Sequence, residues 1–222
     1  MFSILSLLRN GEYMLAIMNV LSRCFVVFCC TPIHEFAHAF VANKCGDDTA
    51  RLKGRLTINP LAHLDPIGTL MIFLVGFGYA KPVPVNPARL KHPRRDFALI
   101  SLAGPVSNVI MGFICVFIAS ALNAFSGDNA TVAAIIQFFY YAAQVNVMLA
   151  VFNLIPIPPL DGSRILTAVL PDKIYFSIMK YERYIMIAFM VIVFTGIADR
   201  PLYILSGILM NIISFIPNLI FG

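Results

Sequence analysis

Long apolar stretches separated by short polar segments form the main pattern along the chain. The longest cover, in chain order, residues 13–43, 97–125, 131–155, 184–197 and 202–219. About 20 apolar residues are enough to cross a bilayer as a helix. The pattern therefore predicts an all-α polytopic membrane protein with about five or six transmembrane helices.

A short apolar segment, residues 67–80, differs from the others because it has basic residues on both sides. Three basic residues precede it within 51–55, and five follow within 81–95. Basic loops stay on the cytoplasmic side of a membrane, so this segment should not cross. In "KPVPVNP", Val83 and Val85 alternate with prolines, which favours an extended edge segment. We expect a re-entrant or interfacial, β-containing segment between the first two core helices.

The composition supports the membrane interpretation. Of 222 residues, 59% are hydrophobic and only 12% are charged, whereas soluble domains carry about a quarter charged residues. The net charge of +5 lies in the loops and reflects topology, so we expect a lipid bilayer and no nucleic acid as partner. Five cysteines without a C-x-x-C spacing indicate neither a disulfide framework nor a thiolate zinc site.

His34, Glu35 and His38 form the pattern His-Glu-x-x-His inside the first apolar stretch. On a helix, residues i and i+4 share a face, so both imidazoles can point at one ion. Glu35 is offset by about 100° and can reach a water on that ion, as the general base does in zinc hydrolases with this motif. The alternative is an ordinary polar helix end. Because a charge near the bilayer centre costs about 2.5–3.5 kcal/mol, we favour a metal site.

A catalytic zinc needs three protein ligands and an open position, so a third ligand must come from elsewhere. Asp161 lies in "FNLIPIPPLDGSR", at the predicted inner end of a membrane helix, where prolines prevent a regular helix. Glu182 competes with it, but its charged neighbours favour a solvated face. Cys45 and His63 are weaker candidates on the polar connection after the first helix. The residues alone leave these alternatives open.

Two motifs taken together resemble the site-2 protease family of intramembrane zinc metalloproteases. The first is "HEFAH" at 34–38, and the second is "NLIPIPPLDG" at 153–162, which matches the family pattern N-x-x-P-x-x-x-L-D-G at every fixed position. The resemblance extends through "GRLTINPLAHLDPIGT", "GYAKPVPVNP" and "AGPVSN" and covers about residues 29–164. It is closest to the short prokaryotic-type members without PDZ or CBS domains.

This resemblance implies a set of roles for the motif residues. His34, His38 and Asp161 would bind one catalytic Zn²⁺, and Glu35 would activate a zinc-bound water. The expected reaction is hydrolysis of peptide bonds in transmembrane segments of membrane proteins or peptides. The final helices match no pattern of the family.

Four further residues are candidate substrate-binding residues: Asn153, Asn108, Val83 and Val85. Asn153 would orient a ligand or hold substrate backbone, or else it only caps a broken helix. Asn108 would line a water-filled cavity. The valine segment would pair with an unwound substrate by strand addition, or else it is a rigid interfacial loop. Gly104, four residues before Asn108, is expected to shape helix packing.

We expect one membrane domain over residues 1–222, with a catalytic core at about 24–164 and accessory C-terminal helices at about 184–219. The basic loops predict a multi-pass protein of the cell membrane whose active site lies toward the cytoplasmic side. The alternative function is a catalytically silent membrane metal-binding or scaffold protein. Glu35 argues against it, because holding a metal requires no base.

Overall fold

The computed structural model describes residues 4–68, 70, 81–125 and 129–221. Those residues are mostly helical and contain no β-strand. The helices with described bounds are α1 (Ile4–Arg9), α2 (Tyr13–Phe25), α3 (Thr31–Lys44), α4 (Thr49–Leu52), α5 (Pro93–Phe125), α6 (Ala130–Asn153), α7 (Asp161–Ile165), α8 (Asp172–Met179), α9 (Glu182–Phe194) and α10 (Asp199–Phe221). Short 3₁₀ turns occur at Pro60–Ala62, Pro87–Arg89 and Leu166–Ala168.

Helices α2 and α3 form one continuous rod, because a π-helical turn at Val26–Cys30 joins them. Pro32 lies in the first turn of α3. A proline has no N–H to bond to the carbonyl four residues earlier, and its ring clashes with that carbonyl. The wider π turn relieves this conflict without ending the helix. The expectation of one long helix over 13–43 is therefore confirmed.

Four helical segments in the described part of the chain are long and apolar enough to cross a membrane. They are Tyr13–Lys44, Pro93–Phe125, Ala130–Asn153 and Asp199–Phe221. This confirms an all-α protein with several candidate spans. Helix α9 has 13 residues, fewer than the roughly 20 that a span requires, and it ends just before Gly196, whose φ is +76°. A total of five or six spans stays a prediction.

The predicted re-entrant segment lies largely outside the described residues, which omit 69 and 71–80. The residues after it, 81–86, are non-helical and form no strand with any described partner. A β-containing element between the first two core helices therefore stays a prediction.

Helix α5 is the centre of the packing, because it contacts α3, α6, α7 and α10. The α5–α6 hairpin packs closely at Gly112, where an added Cβ would lie 3.2 Å from Val147 Cγ2. Small residues permit such close approach between membrane helices. On α10, large apolar side chains such as Phe215 and Ile212 are exposed, as expected for a helix that contacts lipid. This arrangement puts one face of α5 directly beside α3.

Candidate metal centre

His34 and His38 on α3 meet Asp161, the first residue of α7. The Nε2 atoms of the two histidines are 3.1 Å apart. Oδ2 of Asp161 lies 3.4 Å from His34 Nε2 and 3.3 Å from His38 Nε2. Each histidine is only 7% exposed. Three potential ligand atoms from two distant parts of the sequence therefore converge in a buried place.

Asp161 reaches the histidines because the chain turns back sharply after α6. Helix α6 ends at Asn153, and the prolines that follow exclude a regular helix until Asp161. At Gly162, an added Cβ would lie 2.5 Å from the Ile155 carbonyl oxygen and closer still to that of Leu154. No side chain fits there. The Asp-Gly pair therefore has a steric reason: glycine lets α7 begin against the end of α6, and the aspartate then faces α3.

Helix α5 orients the histidines from the other side. Nδ1 of His38 lies 2.6 Å from the carbonyl oxygen of Ile100. A carbonyl only accepts hydrogen bonds, so Nδ1 carries the proton and Nε2 presents a lone pair. At Gly104, an added Cβ would lie 2.6 Å from His34 Cε1 and closer still to His38 Nε2. Gly104, expected only to shape helix packing, thus forms the wall against which both imidazoles lie.

The three ligand atoms fit a tetrahedral zinc ion. Bonds of about 2.0–2.1 Å to nitrogen and oxygen at tetrahedral angles put the ligand atoms about 3.3 Å apart, and the observed separations are 3.1–3.4 Å. Two imidazoles and one carboxylate also form a donor set that leaves a fourth position open. A metal ion could be shared by a group of acidic, histidine or cysteine side chains that lie close together. In the described part of the chain, His34, His38 and Asp161 form the group that meets this condition.

The competing third ligands lie elsewhere. Glu182 is exposed at the start of α9. Cys45 follows the last residue of α3, and all five cysteines are free. His63 is fully buried, and its Nε2 lies 2.7 Å from the Thr57 carbonyl oxygen. The structure therefore brings together the group that contains Asp161 and leaves these three residues outside it.

Glu35 and several buried polar atoms lie near the histidines. Glu35 is 7% exposed and follows His34 on the same helix. Among the described residues, His34 Nδ1, Thr31 Oγ1 and Asn108 Oδ1 are buried without a hydrogen-bond partner. Asn108 lies one helical turn beyond Gly104 on α5, so it is close to the metal-binding face. Buried polar atoms normally have partners. The Asn108 and Thr31 oxygens can accept a hydrogen bond from a bound molecule or from water, whereas His34 Nδ1 donates one when Nε2 faces a metal.

The segment that contains Val83 and Val85 lies along α3 with its side chains turned inward. Val83 is 7% exposed and packs with Ala39 and Ala50, and Val85 packs beside it. Ala39 immediately follows His38. The two valine side chains therefore attach the segment to α3, the helix that carries the histidines. They face the protein interior and not the outer side of the segment.

One edge of this segment's backbone has no hydrogen-bond partner among the described residues. Pro82 and Pro84 have no N–H, so the amide donors between Lys81 and Asn86 belong to Val83 and Val85. Within the described part of the chain, neither of these amides has a hydrogen-bond partner. In an extended chain, residues i and i+2 point their backbone groups to the same side. The proline pattern thus leaves one edge able to pair and blocks the other.

Asn153, another candidate substrate-binding residue, is half-buried at the end of α6.

Polar contacts clamp both ends of the same segment. At one end, the Lys81 amide donates to the His63 carbonyl at 2.8 Å, and Arg55 donates to the Lys81 and Pro82 carbonyls. At the other end, the Asn86 amide donates to Asp47 Oδ2 at 2.6 Å. The other carboxylate oxygen of Asp47 accepts from the Thr49 amide at 3.0 Å and from its hydroxyl.

We expect Asp47→Asn to lower thermal stability at neutral pH. Burial raises the pKa of Asp47, but the hydrogen bonds from Thr49 and Asn86 outweigh it and hold the pKa below its usual value. A depressed pKa gives stability above the unfolded-state value, about 3.9, that is lost as pH falls through the folded-state pKa. The loss of about 1–3 kcal/mol should therefore appear at pH 7 and shrink below about pH 4. Thermal unfolding in detergent, followed by circular dichroism, measures it.

Asp48→Asn is the matched control, because Asp48 is partly exposed and pairs with surface arginines. Such pairs contribute at most about 1 kcal/mol. An equal melting-temperature decrease in both variants, or one in Asp47→Asn that does not change with pH, would contradict the proposed anchor.

Comparison with known proteins connects this geometry to a family. The model of peptidase family M50 matches residues 118–195. The protein named "Putative zinc metalloprotease YwhC" of Bacillus subtilis (strain 168) is 44% identical over 173 residues, which cover 77% of this chain and 79% of that protein. No solved structure matches.

More distant relatives carry similar names. "Putative zinc metalloprotease Rip2" of Mycobacterium tuberculosis (strain ATCC 25618 / H37Rv) is 32% identical over 59% of this chain and 50% of its own length. "Zinc metalloprotease MJ0392" of Methanocaldococcus jannaschii is 26% identical over 67% of this chain and 34% of its own length. With 44% identity to YwhC across most of both chains, this chain belongs to peptidase family M50, the site-2 protease family.

Proposed function

We propose that this protein is an intramembrane zinc metalloprotease that hydrolyses peptide bonds in transmembrane segments of membrane proteins. The observation that carries the proposal is the convergence of His34, His38 and Asp161 to within 3.1–3.4 Å between apolar helices. The relatives YwhC and Rip2 carry the name "Putative zinc metalloprotease", and MJ0392 the name "Zinc metalloprotease", which supports zinc as the metal. We assign His34, His38 and Asp161 as its ligands.

Each residue of the site then has a chemical task. Zinc held by the three ligands would lower the pKa of a water and polarise the scissile carbonyl. Glu35 takes a proton from the attacking water and delivers it to the leaving nitrogen. The Ile100 carbonyl holds His38 in the tautomer that leaves Nε2 free to bind. Gly104 keeps α5 close enough for that hydrogen bond, because a larger residue would meet both imidazoles.

The substrate must be unwound before it is cut, because helical hydrogen bonds occupy its carbonyl groups. An unwound segment needs new partners for its backbone, and lipid offers none. We propose that the backbone of Val83 and Val85 supplies them by strand addition. Asn108 and Asn153 are proposed as further contacts to substrate backbone or water. Oδ1 of Asn108, which is buried with no hydrogen-bond partner among the described residues, supports this for Asn108.

The site is proposed to lie toward the cytoplasmic side of the cell membrane. Basic residues concentrate just after α3, within 44–55, and in the first turns of α5, and basic loops favour the cytoplasm. We treat residues 1–222 as one domain with a catalytic core at about 24–164. The helices at about 184–219 are proposed to be accessory.

Asp161→Ala should remove most of the bound zinc and all measurable cleavage. Losing a residue that only supports a ligand already weakens metal binding by about 10–100-fold, so losing a ligand should cost more than about a hundredfold. The measurement is zinc per chain in purified protein, together with cleavage of single-span substrates in detergent. Glu182→Gln is the control, because Glu182 is exposed and outside the cluster, and it should keep both zinc and activity. Zinc loss in Glu182→Gln with zinc retained in Asp161→Ala would refute the ligand assignment.

A further inference from the structure

The two histidines of the proposed metal centre differ in what holds their rings. His38 Nδ1 lies 2.6 Å from the Ile100 carbonyl oxygen. His34 Nδ1, in contrast, is buried without a hydrogen-bond partner among the described residues. When Nε2 of His34 binds a metal, the ring proton lies on Nδ1, and metal-binding histidines almost always donate it to a second group. A partner for His34 Nδ1 is therefore expected close to the ring.

The ring of His34 lies between α3 and α5. The two helices run antiparallel here, because His38 meets Ile100 and the imidazole one turn earlier on α3 meets Gly104, one turn later on α5. Cε1 of His34, the atom bonded to Nδ1, would lie 2.6 Å from a Cβ at Gly104. Helical side chains lean toward the N-terminus of their helix. The ring therefore extends toward the layer formed by the first turn of α3 and the turn of α5 that follows Gly104.

That layer contains two further buried polar atoms without a partner in the described part of the chain, Thr31 Oγ1 and Asn108 Oδ1. Thr31 is three residues before His34, and Asn108 is four residues after Gly104, so each shares a helical face with a residue of the α3–α5 contact. A threonine hydroxyl in a helix usually bonds to a carbonyl three or four residues earlier. Thr31 begins α3 directly after the π turn, and its hydroxyl makes no such bond.

The three atoms are one donor and two acceptors, which is a set that a single water can complete. The water oxygen accepts from His34 Nδ1, and its two hydrogens are donated to Thr31 Oγ1 and Asn108 Oδ1. Buried waters typically make about three hydrogen bonds to polar groups that otherwise lack a partner. A peptide substrate suits this place less well, because Asn108 is only 1% exposed.

We propose that Thr31 and Asn108 are positioning residues that hold the metal ligand His34 through one buried water. The inference rests on the proposed metal centre, because it requires His34 to present Nε2 to an ion. With Nδ1 donating to the water, the ring keeps the tautomer in which Nε2 has a free lone pair. The water thus does for His34 what the Ile100 carbonyl does for His38.

Zinc affinity of the purified full chain, measured in detergent by competition with a chelator, tests the proposal. Thr31→Val keeps the size and shape of the side chain but removes the hydroxyl. It should weaken zinc binding about tenfold, as the loss of a group that supports a ligand does. Thr31→Ser retains the hydroxyl and should bind zinc like wild type. Unchanged affinity in Thr31→Val, or an equal loss in Thr31→Ser, would overturn the proposal.

A double-mutant cycle tests whether both residues act through the same water. Asn108→Leu removes the second acceptor and should also cost about tenfold in zinc affinity. Because either change disrupts the same three-bonded water, Thr31→Val/Asn108→Leu should again lose about tenfold. Two independent effects would instead multiply to about a hundredfold, and that result would overturn the shared water. No substrate is present, so a residue that contacts only substrate would leave these affinities unchanged.

Asn123→Leu is the matched control for Asn108→Leu. It makes the same substitution at an exposed position near the other end of α5 and should keep the wild-type zinc affinity. A tenfold loss in Asn123→Leu would show that the substitution acts through the helix as a whole, and it would overturn the assignment of Asn108.

Cobalt(II) in place of zinc distinguishes a reoriented ligand from a general loss of stability, because its visible absorption bands depend on the ligand geometry. At saturating cobalt, the bands of Thr31→Val and Asn108→Leu should differ from those of wild type. The bands of Thr31→Ser and Asn123→Leu should coincide with the wild-type bands. Coincident spectra for all five proteins would overturn the role in orienting His34.

These measurements separate the inference from the proposed function. A wild type that binds zinc and cleaves no peptide would refute the protease function and leave the inference in place. A wild type that binds zinc with the same affinity as Thr31→Val and Asn108→Leu would overturn only the inference. A wild type that binds no zinc would refute both.

Discussion

Glu35→Gln should reduce peptide cleavage by about a hundredfold to ten-thousandfold, the range that a general acid–base residue typically contributes. Glutamine has nearly the same size and shape as glutamate, so it should pack in the same buried position, where Glu35 is 7% exposed. It cannot take a proton from water at neutral pH. The ligand atoms of His34, His38 and Asp161 are unchanged, so the zinc content should stay at the wild-type value.

The comparison requires cleavage and zinc to be measured on the same preparations. Glu12→Gln is the matched control, because Glu12 is exposed just before α2 and makes no capping hydrogen bond through its side chain. It should cleave like wild type. Cleavage by Glu35→Gln at the wild-type rate would remove Glu35 from the chemistry. If the variant instead lost its zinc, Glu35 would belong to the metal-binding residues.

Gly104→Ala should weaken zinc binding at least about tenfold by adding a single methyl group. The new Cβ would lie 2.6 Å from His34 Cε1 and closer still to His38 Nε2, well inside the 3.5–4.0 Å of an ordinary carbon contact. Either the imidazoles turn away from Asp161, or α5 moves away from α3. The second response also breaks the hydrogen bond between His38 and the Ile100 carbonyl. Both responses predict a loss of zinc affinity of at least about tenfold, comparable to the loss of a supporting residue.

Gly207→Ala makes the same chemical change in another candidate span, where nothing lies within 4 Å of the added Cβ. Because alanine is favoured over glycine in helices by up to about 1 kcal/mol, that variant should be as stable as wild type or more so, with full zinc content. Zinc per chain and thermal unfolding are measured for both variants. Full zinc in Gly104→Ala would mean that α5 does not form the wall of the site.

The apolar stretches of the sequence anticipated the helices well, because hydrophobic length and periodicity are local properties. The first long helix, the α5–α6 hairpin and the final span lie close to where the pattern predicts them. The stretch at 184–197 also forms a helix, α9, and whether that helix is a span stays a prediction. A hydropathy pattern does not reveal that a left-handed glycine follows its last turn.

The candidate site was only partly visible in the sequence. The spacing of His34 and His38 places both on one helical face, which is a local rule. That Asp161 faces them depends on a turn whose tightness at Gly162 is a tertiary property. The Ile100 carbonyl has no sequence signal, since every residue has one. Gly104 stood out only as a small residue in "AGPVSN", and packing was the natural interpretation.

Val83 and Val85 show what the fold adds to a predicted segment. The alternation with proline predicts an extended segment, and the strand addition predicted for it uses the backbone. In the fold those side chains pack on Ala39 and Ala50, because the segment must be attached to α3. The proposed strand addition would use the backbone amides and carbonyls, which are independent of side-chain identity.

The π turn at Val26–Cys30 makes the first long helix unequally tolerant of changes in chain length. A π turn holds one more residue than the α turn it replaces. If one residue is lost there, the turn can become α-helical, and the side chains of α2 and α3 keep their orientation around the helix axis. Losing one residue between His34 and His38 instead rotates one of them by about 100° relative to the other and separates the two imidazoles. When related chains are aligned, a single-residue gap before the histidines therefore belongs at Val26–Cys30.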